Sequence, residues 1–311
     1  MIVHRDIQAL PSVRHAVLTI GTFDGVHRGH AIILDRVNEL AQARGGESVL
    51  VTFHPHPRFV LNPGDSSLQL LNTIDEKLEQ LEKSGLDHVV VTPFDKRFSQ
   101  QPAIQYVKDF LVGHFHPDVI VIGYDHRFGK DRSGGIDLLR EYSEVFGYEV
   151  EEISRQMVDD IAVSSTKIRT ALHEGRVQEA NHLLGHRFTV RGMVTKGEGI
   201  GRRIGFPTAN LHVSPGYKLV PGTGVYAVTA TVDGASHGGM LNIGYRPTFE
   251  GTDKTVEVHI FDFDRAIYGE TIELGFVARI RDERPFDGPD ALVEQLKEDE
   301  RTARAVLARS F

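Results

Sequence analysis

Cysteine is absent from all 311 residues. Disulfides, thiolate metal sites and a cysteine nucleophile are excluded with it. A surplus of positive charge is absent too: 35 Lys and Arg against 43 Asp and Glu give a formal net charge of −8. A general nucleic-acid binder needs a basic face to displace counterions, so that class is set aside. Any anionic ligand must instead be held by local donors. No apolar run approaches the roughly 20 residues that span a bilayer. The opening Met1–Leu10 carries His4, Arg5 and Asp6, and reads as neither a secretion signal nor a lipidation site. A cytoplasmic protein without a membrane partner is the expectation.

What is present is the composition of a globular protein, 40% hydrophobic and 25% charged, in a chain long enough for two domains. The first part alternates apolar runs suited to buried strands with helical spacing. Ala16–Gly21, Ser48–Phe53, His88–Thr92, Val119–Gly123 and Glu149–Ile153 read as strands. Ala31–Ala43, Ile74–Lys83, Ala103–Val112 and Gly135–Val145 read as helices between them. Val- and Ile-rich strands separated by helices predict an α/β domain with a parallel sheet covered on both faces. From Phe188 the texture changes to short alternating strands with Gly and Pro turns: Thr189–Thr195, Val225–Val232 with a turn at Asp233–Gly234, Thr255–Phe261 and Thr271–Ile280. That pattern predicts a compact antiparallel barrel, closed by an amphipathic helix at Leu292–Leu307. The boundary is expected within Leu183–Arg187, giving domains 1–184 and 185–311.

Two segments carry phosphate chemistry. Gly21–His30 (GTFDGVHRGH) lies between the first strand and the first long helix, where unpaired backbone N–H groups meet an anion. Gly21, Gly25 and Gly29 allow close approach, and His27 and His30, three apart, are expected to face one way on a first helical turn. An HxxH pair alone is usually a solvated surface pair; the glycines and the strand-to-helix position raise it above that. Zinc is disfavoured for want of a third ligand at fixed spacing. Val163–Thr170 (VSSTKIRT) opens another helix, with Ser164, Ser165 and Thr166 able to cap it or meet a phosphate, and Lys167 and Arg169 as cationic donors.

The second segment is Lys196–Asn210 (KGEGIGRRIGFPTAN). Gly197, Gly199, Gly201 and Gly205 make a close-approach loop, and Arg202 and Arg203 add positive charge; no P-loop is present. In the extended PTAN, Thr208 and Asn210 point to one face and offer hard oxygen ligands of the kind Mg²⁺ accepts beside phosphate oxygens. Glu257, between Val256 and Val258, reads on pattern alone as an outward residue of an alternating strand.

GTFDGVHRGH with VSSTKIR resembles the adenylyltransferase half of prokaryotic bifunctional riboflavin kinase/FMN adenylyltransferases, the FAD synthetases. Thr52–Pro57 (TFHPHP) and Gly123–Arg132 (GYDHRFGKDR) resemble its flavin-specific members. PTAN, Gly222–Ala227, Asn242–Phe249 and Thr255–Phe263 resemble the riboflavin kinase module, and the likeness runs from about Val17 to the terminal helix. The resemblance implies a Rossmann-like nucleotidylyltransferase domain followed by a β-barrel riboflavin kinase domain. It implies ATP at Gly21, Phe23, Asp24, Gly29, Asp125, Ser164, Ser165 and Thr166, with His27, His30 and Arg169 catalytic. Flavin would pack on Pro55, Pro57 and Phe128. Asp125 stands where relatives often have Asn. In the kinase, ATP and Mg²⁺ fall to Gly199, Gly201, Arg202, Pro207, Thr208 and Asn210, and the base to Glu257.

The expected chemistry is therefore riboflavin to FMN and FMN to FAD, each with ATP and Mg²⁺. Rivals are an adenylyltransferase with an inactive kinase domain and a non-catalytic flavin store or sensor. An oligomer is neither required nor excluded.

Overall fold

The computed structural model describes residues 1–311 except Ser66, 155–162, Glu198, 249–250 and 310–311; for 200, 246–248 and 251–253 it describes the backbone alone. Glu198 and Phe249, both inside motifs quoted above, therefore lie outside the described residues. The chain divides into two compact units, Met1–Ser165 and Thr166–Phe311. No helix among the described residues is long and apolar enough to cross a membrane.

The first unit is built on β1 (Ile2–His4), β2 (Val17–Ile20), β3 (Ser48–His54), β4 (His88–Pro93), β5 (Val119–Gly123) and β6 (Glu149–Ile153). They pair in the order β1-β4-β3-β2-β5-β6, and every pairing is parallel. Alternate residues serve opposite faces, as the pleat dictates. Leu18, Val49, Val51, Ile120 and Ile122 pack with Phe110 and Leu139 on one side. Val17, Leu50, Val119 and Val121 pack with Leu34 and Val37 of the helix Arg28–Arg44 on the other. Both faces are buried, which is why the strands read as continuous apolar runs.

The strand order places function. The chain steps from β2 outward through β3 to β4, then crosses back to put β5 on the other side of β2. Ligands of open α/β sheets bind outside the carboxyl ends of the strands at such a reversal. Two loops leave there side by side, Gly21–His27 after β2 and the Gly123–Arg132 loop after β5.

Two local departures from the sequence expectation have physical causes. The edge strand β1 was not predicted; it is three residues long with Ile2 and Val3 exposed, so it has no buried alternation to reveal. The predicted helix Ala103–Val112 is a π-helical stretch at Tyr106–Val112 flanked by α turns. Within it Tyr106 and Phe110 join Phe98, Phe115 and Phe128 in one aromatic cluster in the core.

In the second unit β7 (Thr189–Thr195), β8 (Ala209–His212), β9 (Gly224–Val232), β10 (Ala235–Thr248), β11 (Gly251–Ile260) and β12 (Thr271–Arg281) close a barrel in the order β10-β11-β8-β7-β12-β9. All its pairings are antiparallel. The β9–β10 hairpin turns at Asp233 and Gly234, both at positive φ, as a two-residue turn requires. The terminal helix Pro289–Leu307 buries Ala303 and Leu307 against Phe206, Ala227, Met240 and Phe261. It is locked by Asp299, 1% exposed, which accepts from Arg281 Nη2 at 2.7 Å and from Gln295 Nε2 at 2.7 Å. The helices Ser165–His173 and Val177–Leu184 pack in this unit: Asn181 Nδ2 donates to the Phe276 carbonyl at 2.8 Å, and Gly222 N–H to Leu172 at 2.8 Å.

Candidate functional site

The first candidate site grows from the β2 loop. His27 is not on the helical turn; it is the N-cap of Arg28–Arg44, with extended φ −77° and ψ 172°. The reason is reciprocal capping: His27 Nδ1 accepts from His30 N–H and His30 Nδ1 accepts from His27 N–H, each at 3.3 Å. The rings still end up together, stacked with centroids 3.5 Å apart and planes 14° from parallel. Since both Nδ1 atoms accept, each neutral ring carries its proton on Nε2. The pair therefore presents N–H donors on the edges turned away from the backbone.

Burial, then the neighbouring His27, then Lys77 hold His30 well below the ordinary histidine range. Phe23, at positive φ, covers His30 with rings 4.7 Å apart. Asp24 is 4% exposed, and its carboxylate accepts from Leu71 N–H at 3.0 Å and Asn72 N–H at 3.3 Å. It ties the loop to the segment before the helix Ile74–Glu82. The Asp24 carbonyl accepts from Ser165 Oγ at 3.0 Å, so the first residue of the SSTKIR helix meets the glycine–histidine loop. Thr166 and Arg169 follow on that helix and fall in the second unit. Gly21 opens this loop, Gly29 is buried in the first turn of the helix Arg28–Arg44, and Ser164 precedes the helix Ser165–His173.

Lys77 was not singled out from sequence. It sits beneath the loop, 7% exposed, with Nζ donating to the Thr22 carbonyl at 2.9 Å and Thr52 Oγ1 at 3.1 Å. Burial lowers it to about 8, against the opposing pull of Asp24. Nothing in IDEKLEQLEK marks one charged position of an amphipathic helix as the buried one.

The flavin candidates divide. Pro55 is exposed and Pro57 begins the short helix Pro57–Leu61 at the end of β3. Phe128 is 7% exposed, stacks on Tyr106 at 5.0 Å, and is pinned by exchange of backbone hydrogen bonds with Gly134. One face of Phe128 is thus already taken by the core. Asp125 is exposed in the same loop. Beside it, His126 has its Nε2 shielded from solvent with no hydrogen-bond partner, and burial lowers it to about 4. Between pH 6.5 and about 4 the unfolded chain binds a proton there that the folded chain refuses. Stability is therefore lost as pH falls through that window, by on the order of 1–3 kcal/mol from this group. Denaturant titrations from pH 7 to 4 should show the loss, and a His126→Phe variant should show less of it. An identical pH dependence in both would remove His126 from that account.

The second candidate site is a row across the barrel. The pairing register aligns Thr195 with Asn210, Asn210 with Glu257, and Glu257 with Asn242. Neighbours across a ladder share a face, so four polar residues from β7, β8, β11 and β10 lie side by side. Val256 and Val258 are buried on the opposite face, 5% and 0% exposed. Asn242 belongs to this row although the sequence reading gave it no role; only the register finds it.

The glycine-rich loop lies over the row. A Cβ at Gly197 would run into the Asn210 amide, and one at Gly201 would strike the Phe206 carbonyl and lie 3.3 Å from Thr208 Oγ1. Glycine is required there by close approach. Gly199 is at φ 69° before a short helical turn, Ile200–Arg203, that carries Arg202. Clefts open on both sides: one of about 320 Å³ lined by Lys196, Gly197, Asn210 and Lys254, and one of about 70 Å³ lined by Arg202, Pro207, Thr208, Val258 and Tyr268.

Residues 10–167 match the family model for FAD synthetase, and residues 184–307 that for riboflavin kinase. A bifunctional riboflavin kinase/FMN adenylyltransferase of Listeria monocytogenes is 38% identical over 294 residues, covering 94% of this chain and 93% of its own. The chain belongs to the bifunctional riboflavin kinase/FMN adenylyltransferase family. The member from Escherichia coli is 37% identical over 289 residues, covering 93% of this chain and 91% of its own. A solved structure of a macrolide-efflux protein from Streptococcus pneumoniae shares the fold, with a TM-score of 0.87 and 32% identity over 97% of this chain and 98% of that one. The β2 loop lies in the FAD synthetase match, and the polar row under the glycine loop lies in the riboflavin kinase match.

Proposed function

We propose that this chain makes FMN and then FAD, its second domain phosphorylating riboflavin and its first adenylylating FMN, with the functional boundary between Leu184 and Gly185. The observation that carries the kinase assignment is the register of Asn210 against Glu257 beneath Gly197. A primary alcohol is a poor nucleophile. A carboxylate held in a row with neutral oxygen donors accepts the 5′-hydroxyl proton as the oxygen attacks the γ-phosphorus, and ADP leaves.

The donors at Thr208 and Asn210 are hard oxygens, few in number, beside a loop suited to phosphates. Such a set fits Mg²⁺, which keeps waters and substrate phosphates among its ligands. When bound, Mg²⁺ neutralises phosphate charge. Among the described residues no group of three or more His, Asp or Glu could hold a metal alone, so substrate phosphates would complete any such site. Lys196 and Arg202 stand at the two clefts as cations for the polyphosphate, and the apolar wall of the narrower cleft suits a nucleobase.

In the first domain the nucleophile is the FMN phosphate, already charged, so no covalent enzyme intermediate is needed. It attacks the α-phosphorus of ATP and pyrophosphate departs. The Nε2–H donors of His27 and His30 and the start of the helix Arg28–Arg44 orient the ATP and stabilise the crowded phosphorus. Asp24 and Lys77 fix the loop from behind. ATP, riboflavin and FMN are the small-molecule partners, and a cytoplasmic location fits their supply.

The test is incubation of the purified chain with riboflavin, ATP and Mg²⁺, followed over time by chromatography. FMN should rise and then give way to FAD. Tight flavin binding without ATP consumption would leave a storage or sensing protein. FAD from supplied FMN, with no FMN from riboflavin, would leave an adenylyltransferase with a silent second domain.

A further inference from the structure

His259 lies on β11 two residues beyond Glu257, so both side chains leave the same face of the strand. Its Nδ1 lies 2.7 Å from the carbonyl oxygen of Pro207. A carbonyl only accepts, so Nδ1 carries the proton and donates it. Pro207 is the residue that needs such a partner. The β8–β11 ladder runs only through Glu257–Asn210 and Val258–Ala209. Pro207 lies beyond its end and has no N–H with which to extend it. The ring is also braced edge-on by Phe206 at 5.5 Å and Phe261 at 5.8 Å.

We propose that His259 is a positioning residue for phosphoryl transfer: its Nδ1–H clamps the Pro207 carbonyl, and so fixes the segment bearing Thr208, where the chain enters β8, relative to Glu257. The clamp acts through one strand. Glu257 and His259 share β11, while Pro207 and Thr208 share the segment entering β8, so a single hydrogen bond ties the base to the phosphate-binding segment where the ladder gives out. Reacting groups must be held within a fraction of an ångström, and a loosened segment lowers the rate without removing any group that touches substrate. The inference rests on the kinase reading of this row.

The test uses the full chain with His259→Asn, His259→Gln and His259→Ala. An Asn amide places its N–H close to where Nδ1 stands, and a Gln amide places it near Nε2, so only Asn preserves the clamp. In FMN formation from riboflavin, His259→Asn should keep kcat within about 3-fold of the parent, while Gln and Ala should lose about 10-fold or more. Hydrogen–deuterium exchange in residues 206–212 should quicken in Gln and Ala and stay slow in Asn, with FAD formation from supplied FMN equal in all four chains. Kinase turnover by His259→Ala equal to the parent, or equal damage in Asn and Ala, would overturn the clamp while leaving the kinase reading intact. A parent chain that forms no FMN would overturn both.

Discussion

Replacing Glu257 by Ala stops FMN synthesis from riboflavin and leaves FAD synthesis from supplied FMN at the parent rate. The expected loss is about 10²–10⁴-fold in kcat, the usual worth of a positioned general base. Glu257→Gln should lose as much, since it keeps the shape and one acceptor oxygen but cannot take the proton. The pair of variants matters, because Glu257 sits in a row with Asn210 and Asn242, where removing a carboxylate also disturbs its neighbours. Loss in Ala with retention in Gln would mean that Glu257 holds the row and takes no proton. Normal FMN formation in both would end its candidacy. Because the opposite face of β11 buries Val256 and Val258, the exchange leaves the barrel core untouched.

Replacing His27 and His30 together by Ala abolishes FAD formation while FMN formation persists. Donors aimed at charge that develops in the transition state are each worth about 10²–10³ in rate, so the double variant should fall by at least about 10³-fold. The reciprocal cap is lost with them, at a cost of about 1 kcal/mol for each capping interaction. Thermal unfolding therefore accompanies the assay: a small shift in midpoint with the full loss of FAD separates chemistry from folding. Equal loss of both activities would argue against one site for each reaction. In the single variants the stack is broken either way, so His27→Ala and His30→Ala should each lose most of what the pair loses.

Much of the first domain is legible in the sequence. The five strands expected there match within one residue at each end, because buried parallel strands declare themselves as apolar runs. The helices between them, each with one apolar stripe, match less closely: the first begins three residues earlier, at Arg28, and the third is π-helical at Tyr106–Val112. The glycine–histidine loop was legible because its residue types sit between a strand and a helix. The barrel was read only as a class. The sequence marks PTAN as extended but gives no bounds for β8, four residues long at Ala209–His212, since that segment carries no apolar alternation. The identity of Glu257 as a candidate base came from family likeness; its strand pattern said only that it faces away from Val256 and Val258.

Composition and local order alone settle that there is no thiol chemistry, that two domains of different class follow one another, and that each carries a glycine-bearing loop. Those are properties of neighbours along the chain, governed by backbone freedom, side-chain periodicity and charge. The tertiary fold decided which polar residues become partners. It set Asn210 and Asn242 on either side of Glu257, put Lys77 under Thr22, turned Asp24 inward to Leu71, and gave His259 the carbonyl of Pro207. Each of these joins residues 15 to 55 positions apart. Strand register and burial choose such pairs, and neither is written in the spacing of residues along a single segment.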